Sequence, residues 1–260
     1  MEKIICLNMN MSQSIKNKKI DVNAIWISDL HLGSKGCQTK KLNSFLDSIN
    51  CNHLFLVGDI IDNWLIKKNQ KLPIEHEIII DKFVLLSQRG VKITYLPGNH
   101  DSNYRNEDKF FSFPIQDELT YTSIDKKKYL VFHGDQIDNS MYGKSKYLSR
   151  LGGILYEACL IGRSIFQKFT KNNGTSSGFT RWLKITIKNI FSKFYKYDKR
   201  LLSYLDQKNV DGVICGHSHQ PKITKIKEKD YLNSGDWIDN CSYIIEDHSG
   251  KFSLGNWTES

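Results

Sequence analysis

Five stretches of the chain share one pattern: a short run of apolar, β-branched or aromatic positions that stops at a polar cluster. They are A-I-W-I-S-D-L-H (24–31), H-L-F-L-V-G-D-I-I-D (53–62), K-I-T-Y-L-P-G-N-H-D (92–101), K-Y-L-V-F-H-G-D (128–135) and D-G-V-I-C-G-H-S-H (211–219). Runs of that length and composition predict strands. Between the fourth and fifth the period changes. Leu148, Leu151, Leu155, Ile161, Ile165 and Phe169 fall near helical spacing over 142–169, and Leu183, Ile187, Ile190 and Phe194 do so over 179–204. K-N-N-G-T-S-S-G (171–178) separates the two with loop chemistry. Residues 136–205 therefore read as a helical cap inserted into an α/β domain over 21–260, with 1–20 a leader outside it.

A turn or a cap accounts for one polar cluster. Five strands ending alike point to a shared site, because ligands of an open α/β sheet gather outside the carboxyl ends of its strands. Asp29, His31, Asp59, Asn99, His100, His133, His217 and His219 would meet there, and they include five of the eight histidines. His53, His76 and His248 lack such context and read as surface or core residues. Carboxylate, amide oxygen and imidazole suit borderline-hard divalent cations, and the lack of thiolate argues against a structural zinc cage. About seven ligands are too many for one ion and enough for two, with one carboxylate between them; Asp59 is the choice for that bridge. Asp101 reads as a tie for the turn that presents Asn99. Asp135 and Asp236 either orient ligand histidines or cap turns, and Trp64 and Trp237 read as packing residues near the site.

Composition adds little to this until the charge is located. The chain has 260 residues, 40% hydrophobic and 25% charged, which describes an ordinary globular domain. No run approaches the roughly 18 apolar residues of a membrane span, and the first residues lack a signal-peptide pattern. The six cysteines have neither metal nor disulfide spacing and read as free thiols in a reducing cytoplasm. The net charge is +9, but residues 140–200 hold thirteen Lys or Arg against Glu157 and Asp198, a net of +11, so the remainder sums to −2. Basic amphipathic helices with aromatic edges lie on anionic membrane surfaces, and the cap is expected to do the same. Nucleic acid is the weaker expectation, since no recognisable binding module accompanies the charge.

In order along the chain, D-L-H, G-D-I-I-D, G-N-H-D, H-G-D and G-H-S-H resemble the signature of the calcineurin-like metallophosphoesterase superfamily. The resemblance runs from Ala24 to Trp237 and implies a four-layer αββα sandwich with two metals at the sheet edge. It implies that Asp29, His31 and His219 hold one metal, that Asn99, His133 and His217 hold the other, and that Asp59 bridges. It makes His100 the group that protonates the leaving oxygen and Asp62 its orienting partner. Manganese is the expected metal, with iron, magnesium or zinc fitting the same ligands. The strings W-I-S-D-L-H-L-G, L-V-G-D-I-I-D-N-W, H-G-D-Q-I-D and N-S-G-D-W are similar to a bacterial branch grouped with UDP-2,3-diacylglucosamine pyrophosphohydrolase, an enzyme of lipid A synthesis. That likeness implies hydrolysis of a UDP-linked glycolipid, on the inner face of the inner membrane. Lys144, Lys146 and Arg150 of the cap are the candidate substrate contacts. In one respect the chain departs from that branch, which has G-N-R-D and lacks the second Asp of G-D-I-I-D. Another nucleotide or phospholipid phosphoester, a nuclease, and a noncatalytic scaffold are the alternatives.

Overall fold

A computed structural model describes residues 19–65, 71–137 and 197–258. The chain divides into two compact units, one built from residues up to 134 and from 208 onward, the other from 135–207. Of the second unit, a 3-10 turn at Asp135–Ile137 and a helical stretch over 197–207 are described. Lys144, Lys146, Arg150 and most of the expected cap helices lie outside the described residues, as does most of the expected leader.

In the first unit, β1 (Ile20–Ile27), α1 (Thr39–Ser48), β2 (Ile49–Val57), α2 (Ile74–Gln88) and β3 (Lys92–Leu96) alternate, and β1, β2 and β3 are parallel neighbours. A short hairpin, β4 (Lys109–Phe110) and β5 (Phe113–Pro114), leads to β6 (Leu119–Thr122) and β7 (Lys128–Val131). The chain returns as β8 (Gly212–Cys215), β9 (Lys222–Ile226), β10 (Lys229–Asn233), β11 (Ser242–Glu246) and β12 (Phe252–Asn256). Two five-stranded mixed sheets result, ordered β12-β11-β1-β2-β3 and β6-β7-β8-β10-β9. The architecture is α/β.

Strands β1 and β2 are buried on both faces, which is why they read as continuous apolar runs instead of alternating ones. Ile25, Ile27, Leu54 and Leu56 pack with Leu42 and Phe45 of α1 and Ile79 and Phe83 of α2. Their neighbours Ala24, Trp26, Phe55 and Val57 pack with Val131 of β7, Ile214 of β8 and Leu232 of β10, between the sheets. Trp26 stacks on Phe55 at 5.1 Å and meets Tyr121 edge-on at 5.0 Å. Each such side chain contributes roughly 1.5–3 kcal/mol through burial. The buried Glu246 carboxylate adds a polar tie, accepting from Asn23 Nδ2 (2.7 Å), Ile124 N (2.8 Å) and the Tyr121 hydroxyl. Among the described residues no helix is long and apolar enough to cross a membrane. Cys37, Cys51 and Cys215 are buried free thiols, and burial pushes each of them up to about 12.

His53 stacks on Phe55 at 3.7 Å with its Nε2 2.9 Å from Thr94 Oγ1. Burial, with Lys92 nearby, pushes its imidazole from 6.5 down to about 4. The unfolded chain takes up that proton near 6.5, so this contribution to stability is full above that pH and declines as pH falls toward 4. Between pH 7 and pH 5 the loss amounts to about 2 kcal/mol. Urea unfolding of metal-free protein at the two pH values is expected to show a drop that His53→Gln reduces by that amount. An equal drop in both proteins contradicts it.

Candidate metal centre

The parallel pairing of β1 and β2 does not stop where the strands end. Asp29 N donates to Gly58 O, His31 N to Asp59 O, Leu32 N to Ile60 O and Asp62 N to Leu32 O, each at 2.9 Å. The D-L-H and G-D-I-I-D loops are thereby laced side by side. Gly216 N donates to His133 O at 3.0 Å and joins the loops after β7 and β8 in the same way. At Gly216 an added Cβ would overlap Asp29 Oδ2 and Ser28 Oγ, and at Gly98 it would overlap Asp59 Oδ1. Only glycine permits these loops to close so tightly.

Asp29, His31, Asp59, His217 and His219 all have left-handed backbone, with φ of 53°, 49°, 53°, 65° and 52°. Only five other described non-glycine residues have positive φ, so this strain is concentrated at the site. Each such residue costs on the order of 1–3 kcal/mol. The loops hold them there, and the side chains turn inward.

Three groups of possible ligand atoms result: Asp29 with His31 and His219; His31 with Asp59 and His100; and Asp29 with Asp59 and His133. His219 Nε2 lies 3.2 Å from Asp29 Oδ1. Asp59 Oδ2 is faced by His133 Nε2 at 3.3 Å, His100 Nε2 at 3.9 Å and His31 Nε2 at 4.0 Å. The other Asp59 oxygen accepts from His100 N at 2.8 Å. The His133 and His217 rings are 5.2 Å apart, and His217 N donates to Asp29 Oδ2 at 3.1 Å. Asn99, next to His100 in the chain, is buried. Asp62 reaches two rings, His100 Nδ1 at 3.2 Å and His31 Nδ1 at 3.4 Å.

Burial alone would raise the Asp29 carboxyl, but the His219 and His133 charges pull it down to about 2. Asp59 is likewise held well below the carboxylate range by His133, His100 and His31, against its burial. For His219, burial pulls downward while Asp29 and Asp236 raise it to about 9, and His100 is raised by Asp62 and Asp59 against its burial. Three buried atoms show that the cluster suits a cation. Among the described residues, His31 Nε2 and Asn99 Oδ1 have no hydrogen-bond partner, and Asp29 Oδ1 has none of good alignment although His219 Nε2 is close. Buried polar atoms are rarely left so. Oxygen and imidazole donors without thiolate match a borderline-hard divalent ion.

Two further residues support the loops around the centre. Asp236 caps a turn, its Oδ1 accepting from Ile238 N and Asp239 N, and its Oδ2 lies 3.8 Å from His219 Nδ1. Asn233 Nδ2 donates to Gly216 O at 2.6 Å and supports the G-H-S-H loop. Their only trace in the sequence is N-S-G-D-W, a string without a spacing rule. Trp64 stacks on the His100 ring at 3.7 Å, whereas Trp237 is fully buried against Phe45.

Residues 23–221, which contain every candidate ligand, match the sequence profile of the calcineurin-like phosphoesterase family. A UDP-2,3-diacylglucosamine hydrolase of Photorhabdus laumondii is 24% identical over 212 residues, 78% of this chain and 84% of the relative. One from Haemophilus influenzae is 24% identical over 248 residues, 89% of this chain and 98% of the relative. Among solved structures, the E. coli phosphoesterase Yfce is 14% identical with a TM-score of 0.44, covering 90% of this chain and 99% of its own. The family profile spans most of the chain, and by that measure this hydrolase belongs to the calcineurin-like phosphoesterase family.

Proposed function

We propose that the chain hydrolyses the pyrophosphate of a UDP-linked diacylglucosamine, releasing UMP and a lipid monophosphate. The observation that carries the chemistry is Asp59 Oδ2, a buried carboxylate oxygen faced by imidazoles from three different loops. The substrate class rests on relatives named for that hydrolysis, which align over most of their length. Two divalent cations, one at Asp29, His31 and His219 and one at Asn99, His133 and His217 with Asp59 shared, would supply Lewis acidity and a nucleophilic water near neutral pH. The remaining work belongs to the chain's own residues. Asp62 engages Nδ1 of His100, which leaves Nε2 to give a proton to the departing oxygen. Trp64 covers one face of that ring and limits its tilt. Burial of Asp29, Asp59 and His133 keeps bulk water from screening the reacting charges.

A phosphodiester or phosphomonoester of another nucleotide or phospholipid is the second reading. It is favoured by His100 and Asp62, which stand where the best-known pyrophosphohydrolase branch has neither. Purified protein with manganese should be offered UDP-2,3-diacylglucosamine, bis-p-nitrophenyl phosphate and single-stranded DNA. UMP release from the first is the expected result; cleavage of DNA alone overturns the proposal.

A further inference from the structure

We propose that Asp101 is a positioning residue that sets the distance between the Asp59 and Asn99 loops, and so decides whether two cations can share Asp59. This rests on the two-cation reading above. Asp101 is fully buried. Its Oδ1 accepts from Gly98 N at 2.5 Å and Asp59 N at 3.3 Å. Its Oδ2 accepts from Tyr95 Oη at 2.5 Å, Ile60 N at 2.7 Å and Ile61 N at 3.4 Å.

These donors come from two places. Asp59, Ile60 and Ile61 form the turn after β2, while Tyr95 and Gly98 belong to β3 and the turn after it. Both loops are therefore pinned to one pair of oxygens. From that anchor the geometry runs outward: His100 N holds Asp59 Oδ1, and Asp59 Oδ2 is left facing the imidazoles. Asp101 touches none of the candidate ligand atoms that face the centre. Its influence is on where they stand.

The cage also specifies the residue type. The three short donors, Gly98 N, Tyr95 Oη and Ile60 N, fit within the roughly four lone-pair sites of a carboxylate, with Asp59 N and Ile61 N at longer range, whereas an amide has a single accepting oxygen. In Asp101→Asn the shape is kept, but an NH2 group must face N–H or O–H donors, and one loop is released. Removing a hydrogen bond to a charged group typically changes an equilibrium by tenfold to about a hundredfold. Tyr95→Phe is milder. It deletes one donor and keeps both oxygens.

The test uses the full chain loaded with manganese, reading metal per chain after dialysis, the exchange-coupled dimanganese signal by low-temperature electron paramagnetic resonance, and far-ultraviolet circular dichroism. Wild type is expected to hold two manganese ions with a coupled signal. Asp101→Asn is expected to keep the dichroism spectrum, hold the second manganese at least about thirtyfold more weakly, and lose the coupled signal. Tyr95→Phe is expected to keep the signal while weakening the second ion by about three- to tenfold, and this variant carries the test if Asp101→Asn does not fold. A folded Asp101→Asn with two ions and unchanged coupling overturns this inference alone, as does unchanged manganese retention in Tyr95→Phe. A wild type with fewer than two ions overturns the two-cation reading as well.

Discussion

Asp59→Ala is expected to yield folded protein that retains less than one manganese per chain and hydrolyses its substrate at least about ten-thousandfold more slowly. The reason is the convergence on one oxygen. Asp59 Oδ2 is approached by His133, His100 and His31 within 4.0 Å, and Asp59 belongs to two of the three groups of possible ligand atoms. Without the carboxylate, the three imidazoles lose the one oxygen they share, and a cation brought among them loses the anion at their centre. The backbone loses less, because the lacing of the β1 and β2 loops uses main-chain groups. Elemental analysis after dialysis and a turnover assay check both halves of the expectation. Retention of two ions contradicts it.

His100→Ala is expected to part these two quantities. Turnover should fall by about a hundredfold to ten-thousandfold, the usual worth of a positioned general acid. Both metals should remain. The structure makes the metal measurement the decisive one, because His100 also lies within ligand distance of His31 and Asp59. Two contacts argue that its ring serves the substrate: Asp62 engages Nδ1, and Trp64 stacks on its face. Metal loss equal to that of Asp59→Ala would make His100 a ligand and leave the leaving group without its acid.

The strands that present the site were readable because β1 and β2 are buried on both sides, which writes them as unbroken apolar runs ending at a first polar residue. The candidate ligands were readable because each follows such a run within a few positions. Their support was readable in part: Asp101 reads as a tie for the Asn99 turn and the resemblance makes Asp62 the partner of His100, but the bonds of Asp101 to residues 40 to 42 positions away and the reach of Asp62 to His31 follow no spacing rule. The left-handed backbone of Asp29, His31, His217 and His219 was also invisible, since histidine in a D-x-H or H-x-H string carries no mark of φ. Strands β9 to β12 escaped for another cause. They are short, and β9 and β12 are largely or partly exposed, so their pattern merges with that of ordinary loops.

The left-handed residues have a consequence for how this chain can change over time. A glycine at position 29, 59 or 217 would relax the local backbone, and at 29 or 59 it would also remove a buried carboxylate. Drift toward a sturdier fold therefore pulls against the chemistry, and the two aims meet at the same few codons. Ligands set in such uncomfortable backbone persist only while something selects for what they hold.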